Sequence, residues 1–151
     1  MASKTLAKNR KARFEYEILK TLEVGLVLLG TEVKSVRAGQ INLSESYCQI
    51  DDSLQVYLLN AHISQYNFGN RHNHEPLRPK RLLLHRSEIR RLFGQVKEQG
   101  LTLIPLKIYL KGGIIKMEIA LGRGKKLHDK RQSLKKRDAQ RDVERTLSER
   151  T

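Results

Sequence analysis
Few residues here could make or break bonds, and their spacing fits no known chemistry. The run Gly122-Arg123-Gly124-Lys125-Lys126 sets glycine beside lysine, as phosphate-cradling loops do. Such a loop needs its first glycine five residues before the one preceding lysine, and Ser or Thr after the lysine. Ile119 and Lys126 hold those places, so the motif is absent. His72, His74 and Glu75 crowd together, but not at the i, i+4 spacing of a helical zinc pair, and Cys48 has no C-x-x-C partner. The histidines read as solvated loop side chains. No G-x-S-x-G turn presents a nucleophile. The expectation is a protein that is not an enzyme, with no catalytic residue, metal or cofactor. Cys48 sits in the alternating stretch "SYCQID" and reads as a buried structural thiol. A single cysteine suits a cytoplasmic protein. The start of the chain carries cations without an apolar core and does not read as a signal peptide. No apolar run approaches the ~20 residues of a spanning helix.

Charge carries the remaining information. The 151 residues include 30 Lys and Arg against 16 Asp and Glu, a formal charge of +14. Residues 1–13 hold five cations and no acid, and residues 123–151 hold eleven cations and five acids. That leaves 14 − 5 − 6 = +3 on the middle of the chain. Basic ends of this kind bind polyanions, nucleic acid above all. Three Phe, five Tyr and no Trp are too few for a platform that stacks successive bases. A structured RNA, held by phosphates and shape, fits better. Lys34 and Arg37, three apart, would share a helix face and could straddle adjacent phosphates, or form a plain solvated face. Lys116 alternates with Ile115 and Met117, so it faces solvent and could meet phosphate.

These side chains need a scaffold, and the pattern is that of a small antiparallel barrel. Residues 14–22 alternate, and "VGLVLLG" from Val24 to Gly30 is a continuous apolar run expected as a well-buried strand. Residues 46–50 and 54–59 flank "DDS" as a hairpin, and 61–65 could continue the sheet. Leu101, Leu103, Leu106, Ile108 and Leu110 precede Gly112-Gly113, and Ile115, Met117, Ile119 and Leu121 follow. Two glycines between alternating runs favour a primed turn. Pro105 lacks an N–H and marks a bulge or an edge. Ile89, Leu92, Phe93 and Val96 predict a helix capped by Ser87 and stopped by Gly100. "TEVKSVRAG" could be a strand by its β-branched content, but Thr31 as a cap, Val33 and Val36 three apart and Gly39 as a stop favour a short helix. Residues 67–79 read as a long exposed loop. The expected domains are a basic segment 1–13, an OB-fold-like barrel 14–122, and a basic tail 123–151. The tail has only a thin apolar line (Leu134, Ala139, Val143, Leu147), so it should be disordered when free and helical against a polyanion.

Several stretches resemble the small protein B (SsrA-binding protein) family along most of the chain: "NRKARFEYEI", "LEVGLVLLGTEVKSVRAGQINLSESY", "RPKRLLLHRSEIRRL", "GLTLIPLKIYLKGG" and "ALGRGKKLHDKR". The resemblance implies an OB-fold RNA-binding adaptor of trans-translation. Its partners would be the tRNA-like domain of transfer-messenger RNA and the ribosome, at the small-subunit decoding centre and empty message channel. Elongation factor Tu and alanyl-tRNA synthetase would be reached only through the RNA, and the protein would be a monomer. The implied RNA-binding positions are Glu23, Lys34, Arg37, Leu83, Lys116, Asn9, Arg10, Lys125 and Lys126. The implied decoding-site tail is His128, Asp129, Lys130, Arg131, Lys135, Lys136 and Arg137. On residue type alone, the alternative for Glu23 is an exposed strand residue. Leu83, between leucines, could be core support or an RNA contact. The runner-up reading is a ribosomal or general structured-RNA binder.

Overall fold
The computed structural model describes residues 3–66 and 73–125. The chain runs β1 (Ser3–Lys8), α1 (Ala12–Glu15), β2 (Tyr16–Leu26), α2 (Gly30–Arg37), β3 (Ile41–Asn42), β4 (Tyr47–Ile50) and β5 (Val56–Leu59). It continues through β6 (His62–Ile63), β7 (Lys80–Leu83), α3 (Arg86–Gln99), β8 (Thr102–Lys111) and β9 (Ile114–Gly124). The main sheet has the order β1-β8-β4-β5-β7-β2-β9, and β9 also pairs with β8. The strands from β8 round to β9 therefore close on themselves as an antiparallel barrel, and β1 hangs on the free edge of β8.

The barrel is built as its alternation dictates. Val24, Val56, Leu58, Leu82, Ile108, Met117 and Ile119 point inward and are at most 2 % exposed. Cys48 is buried, as expected, and burial pushes its thiol far above the usual range. Gly112 and Gly113 both take positive φ, 57° and 80°, and turn β8 into β9. The register slips between Pro105 and Lys107. On its other edge, β8 changes partner over the same stretch, from β4 at Leu103 to β1 at Lys107. The missing N–H of Pro105 thus falls where one ladder ends and another begins. The side chain of Asn9 donates to the Pro105 carbonyl at 3.0 Å, and its amide donates to Leu106 at 2.8 Å.

Several expectations change. The basic segment 1–13 is, from Ser3 on, part of the fold: β1 pairs with β8 and α1 leads into β2. Val24–Gly30 is not a separate buried strand, because β2 runs unbroken from Tyr16 and ends at Leu26. Val27 and Leu29, beyond it, are 43 % and 48 % exposed. Thr31 and Ser87 are not caps. The caps lie two residues earlier, at Leu29 and His85, and the helices begin at Gly30 and Arg86. Glu32 caps α2 instead, its carboxylate accepting from the Leu29 amide at 2.8 Å. Residues 62–63 do not extend the barrel but pair with β3 in a separate small sheet. The Thr102–Gly124 hairpin, the 47–59 hairpin and the Gly100 stop stand as read.

The largest correction concerns the loop. Of residues 67–79, the described part is tied down. His74 is only 3 % exposed, with Nδ1 at 2.8 Å from Thr31 Oγ1 and Nε2 at 2.9 Å from the Ile63 carbonyl. A carbonyl only accepts, so Nε2 carries the proton and the Thr31 hydroxyl donates to Nδ1. His72 lies outside the described residues, as does the tail beyond Lys125 that was expected to be disordered when free.

Lys80 is fully buried, its ammonium donating to the Ala61 carbonyl at 2.9 Å and to Pro76 at 3.4 Å. Burial pulls its pKa from 10.5 to about 8, against the nearby Glu32 charge. The folded protein therefore releases this proton before the unfolded chain does. Its penalty is fully present below pH 8 and is relieved as pH rises toward 10.5. Lys80→Met should lack this gain. Urea unfolding of parent and variant across that range checks it, and parallel curves would refute it.

Candidate nucleic-acid interface
The outer face of β7, β2, β9, β8 and β1 carries the charged side chains in register. Leu83 pairs with Gly25, Gly25 with Lys116, Lys116 with Tyr109, and Tyr109 with Thr5. The next row is Glu23, Glu118, Lys107 and Lys8. Pairing of β7, β2 and β9 side by side thus brings Glu23, Leu83 and Lys116 to one shallow cleft of about 390 Å³, completed by Val24, Gly25, Leu84, His85 and Glu88.

Leu83 is 51 % exposed, so it does not serve the core; Lys80 and Leu82, on either side of Arg81, do. Its side chain stands directly on Gly25, where an added Cβ would lie 3.2 Å from the Leu83 Cβ. Glycine lets the leucine lie low and keeps the cleft floor flat. Glu23 accepts two hydrogen bonds at Oε2, from the Tyr109 hydroxyl at 2.5 Å and from Lys111 Nζ at 3.4 Å. The Tyr109 hydrogen bond, foremost, and the Lys111 and Lys116 charges hold its carboxyl below the ordinary value. Burial and the same carboxylate push the Tyr109 phenol up.

A second cavity of about 320 Å³ adjoins along the Glu118–Lys107 pair, lined by Lys8, Asn9, Arg10, Arg13, Leu106, Lys107 and Glu118. Arg10 is exposed there, whereas Asn9 is 9 % exposed and braces the bulge. Lys34 and Arg37 are exposed on α2, yet both are engaged. Lys34 Nζ lies 5.1 Å from the Tyr66 ring centre, and Arg37 Nη2 donates to the Gly113 carbonyl at 3.0 Å. Lys125 closes the barrel, its amide bonded to the Glu15 carbonyl and its Nζ to the Arg13 carbonyl. Lys126, His128, Asp129, Lys130, Arg131, Lys135, Lys136 and Arg137 lie outside the described residues. Tyr109, Lys111 and Lys107 were missed as site residues. Their signal was present: they alternate outward opposite Ile108 and Leu110, across the glycine turn from Lys116.

Among the described residues, no group of three His, Cys, Asp or Glu side chains could hold a metal, and no helix is long and apolar enough to cross a membrane. The surface offers cations, a carboxylate oriented by Tyr109 and an exposed leucine, a set suited to RNA phosphates and base or ribose edges.

The sequence matches the family described as SmpB protein over residues 6–149. It is 57 % identical over 145 residues to the SsrA-binding protein of Trichormus variabilis, covering 95 % of this chain and 93 % of that one. It is 55 % identical over 148 residues to the SsrA-binding protein of Thermosynechococcus vestitus, covering 97 % of each. Its fold is similar to a chain in the solved structure described as "tmRNA-SmpB: a journey to the center of the bacterial ribosome". The TM-score is 0.67 at 45 % identity, over 85 % of this chain and 93 % of that one.

Proposed function
The chain belongs to the SmpB protein family, and on that premise we propose that it is the RNA-binding adaptor of trans-translation. It binds the tRNA-like domain of transfer-messenger RNA and delivers it to stalled ribosomes, where the nascent peptide is tagged and the ribosome freed. It works in the cytoplasm and forms no covalent bond itself.

The observation that carries this reading is the convergence of Glu23, Leu83 and Lys116, from three strands, on one cleft. An ionised carboxylate only accepts hydrogen bonds, so Glu23 takes a base amino group or a ribose hydroxyl. Lys116 takes a phosphate, and Leu83 supplies an apolar step for a base or sugar face. Arg10, Lys125, Lys126, Lys34 and Arg37 add phosphate contacts around the barrel, and Asn9 holds the corner that presents Arg10. The barrel, 14–122, together with segment 1–13, grips the RNA. The tail, 123–151, enters the decoding site and empty message channel with His128, Asp129, Lys130, Arg131, Lys135, Lys136 and Arg137.

Gel shifts on the isolated tRNA-like domain test this reading. Glu23→Ala and Lys116→Ala should each weaken binding roughly tenfold, as loss of a charged hydrogen bond does. Lys116→Ala should also flatten the plot of log affinity against log salt by about 0.9, one phosphate's worth of counterions, and Glu23→Ala should not. If bulk tRNA competes as well as the transfer-messenger RNA domain, the protein is a general RNA binder instead.

A further inference from the structure
We propose that Tyr109 is a positioning residue for RNA recognition: its hydroxyl locks the Glu23 carboxylate so that one oxygen belongs to the protein and the other is left for the RNA. The proposal rests on the RNA-binding reading of the Glu23 cleft. Glu23 lies on β2 and Tyr109 on β8, with β9 between them. Tyr109 is in register with Lys116, and Glu23 with Glu118, so the phenol reaches Glu23 on a diagonal across β9. The tyrosine is only 6 % exposed and Lys107 Nζ stands 5.4 Å from its ring centre. It is a rigid strut rather than a mobile surface side chain.

Both protein donors use the same oxygen. The Tyr109 hydroxyl and Lys111 Nζ converge on Oε2, and among the described residues Oε1 has no hydrogen-bond partner. An unrestrained glutamate at this position would fail in one clear way. It borders the cleft with Lys116 and could swing onto that ammonium, leaving neither group for the ligand. No ion pair joins Glu23 to Lys116 among the described residues; the pair that forms is with Lys111, away on β8. Tyr109 thus holds the carboxylate apart from Lys116, so that the cleft offers an acceptor and a cation side by side. The ligand chemistry that follows is an RNA unit with an amino or hydroxyl donor next to a phosphate.

Tyr109→Phe removes one oxygen and keeps the ring. In the free protein, NMR titration of Glu23 should show its carboxyl pKa rising toward or above the ordinary value. Affinity for the tRNA-like domain should fall roughly tenfold in the parent background. In a Glu23→Ala background the same substitution should cost nothing further, because Tyr109 acts only through Glu23. The unfolding midpoint should stay close to that of the parent. An unmoved titration, an unchanged affinity, or an equal loss with and without Glu23 overturns the proposal. If the parent itself fails to bind the RNA, the functional reading falls, and the titration still decides whether Tyr109 sets Glu23.

Discussion

Replacing Arg78 with alanine is expected to cost about 3–5 kcal/mol of folding stability at neutral pH, the usual penalty for stranding a buried charge. Glu32 has a fully buried side chain, and Arg78 reaches it with Nη2 at 2.6 Å and Nε at 3.2 Å from both oxygens. Arg78 Nη2 also donates to the Val27 carbonyl at 3.3 Å. The pair therefore clamps α2 to the end of β2 and to the segment before β7. Burial alone pushes the Glu32 carboxyl up, but the hydrogen bonds from Arg78 and the Leu29 amide, with the Arg78 and Lys80 charges, outweigh it and hold it below the ordinary 4.5. Stability from this group is thus present above that value and is lost as pH falls through the lower folded value. Without Arg78, its hydrogen bonds and charge no longer oppose burial, so the folded carboxyl binds its proton more readily than in the parent. The variant's deficit should then shrink as the medium is acidified toward and below pH 4.5. Urea unfolding of parent and variant at neutral and acid pH measures both effects. A deficit under about 1 kcal/mol, the scale of a surface pair, or one that ignores pH, means that the clamp is not structural. Because α2 carries Lys34 and Arg37, RNA binding should weaken in parallel.

That clamp also marks where reading the sequence stops. The glycine turn, the Thr102–Gly124 hairpin and the helix over 86–99 follow from periods of two and 3.6 and from the backbone freedom of glycine, all of which are local. Val27 and Leu29 misled because an apolar run signals burial only if the strand stays in the sheet, and β2 leaves its last partner, Leu82, at Leu26. His74 misled in the opposite sense. Polar residues among turn formers read as solvated, yet His74 finds the Ile63 carbonyl and the Thr31 hydroxyl, supplied by distant segments. Such burial depends on partners far apart in the sequence, which only the tertiary fold brings together. Of the candidate site, Glu23 and Lys116 were named through the family resemblance, and alternation alone gave the outward direction of Lys116. That Leu83 is exposed, and that Tyr109 supports Glu23 from two strands away, required the register of β2, β7, β8 and β9. Tyr66 beneath Lys34 and the Gly113 carbonyl beside Arg37 belong to the same class: both cations looked free in the sequence and are anchored in the fold.

Ending the chain after Lys125 is expected to separate the protein's two tasks: binding of the tRNA-like domain persists, and tagging on stalled ribosomes is abolished. The position of the cut follows from the structure. Gly124 pairs with Tyr16, and Lys125 bonds the Glu15 and Arg13 carbonyls through its amide and ammonium, so a cut at Arg123 would open the barrel end. A cut after Lys125 leaves every strand and both cavities of the RNA face whole. Residues 126–151 contain nine Lys and Arg, five Asp and Glu, and neither Gly nor Pro. Their net +4 adds a salt-dependent attraction to any RNA, so the truncated protein should bind somewhat more weakly at low salt and converge with the parent as salt rises. The loss of tagging should not be salt-dependent, because it comes from the missing occupant of the decoding site. A chain with residues 126–151 scrambled keeps the charge and discards the order. If it tags peptides as the parent does, the tail acts only as a cationic tether. If the truncated chain itself tags at the full rate, the tail has no part in decoding, and the barrel alone must account for the activity.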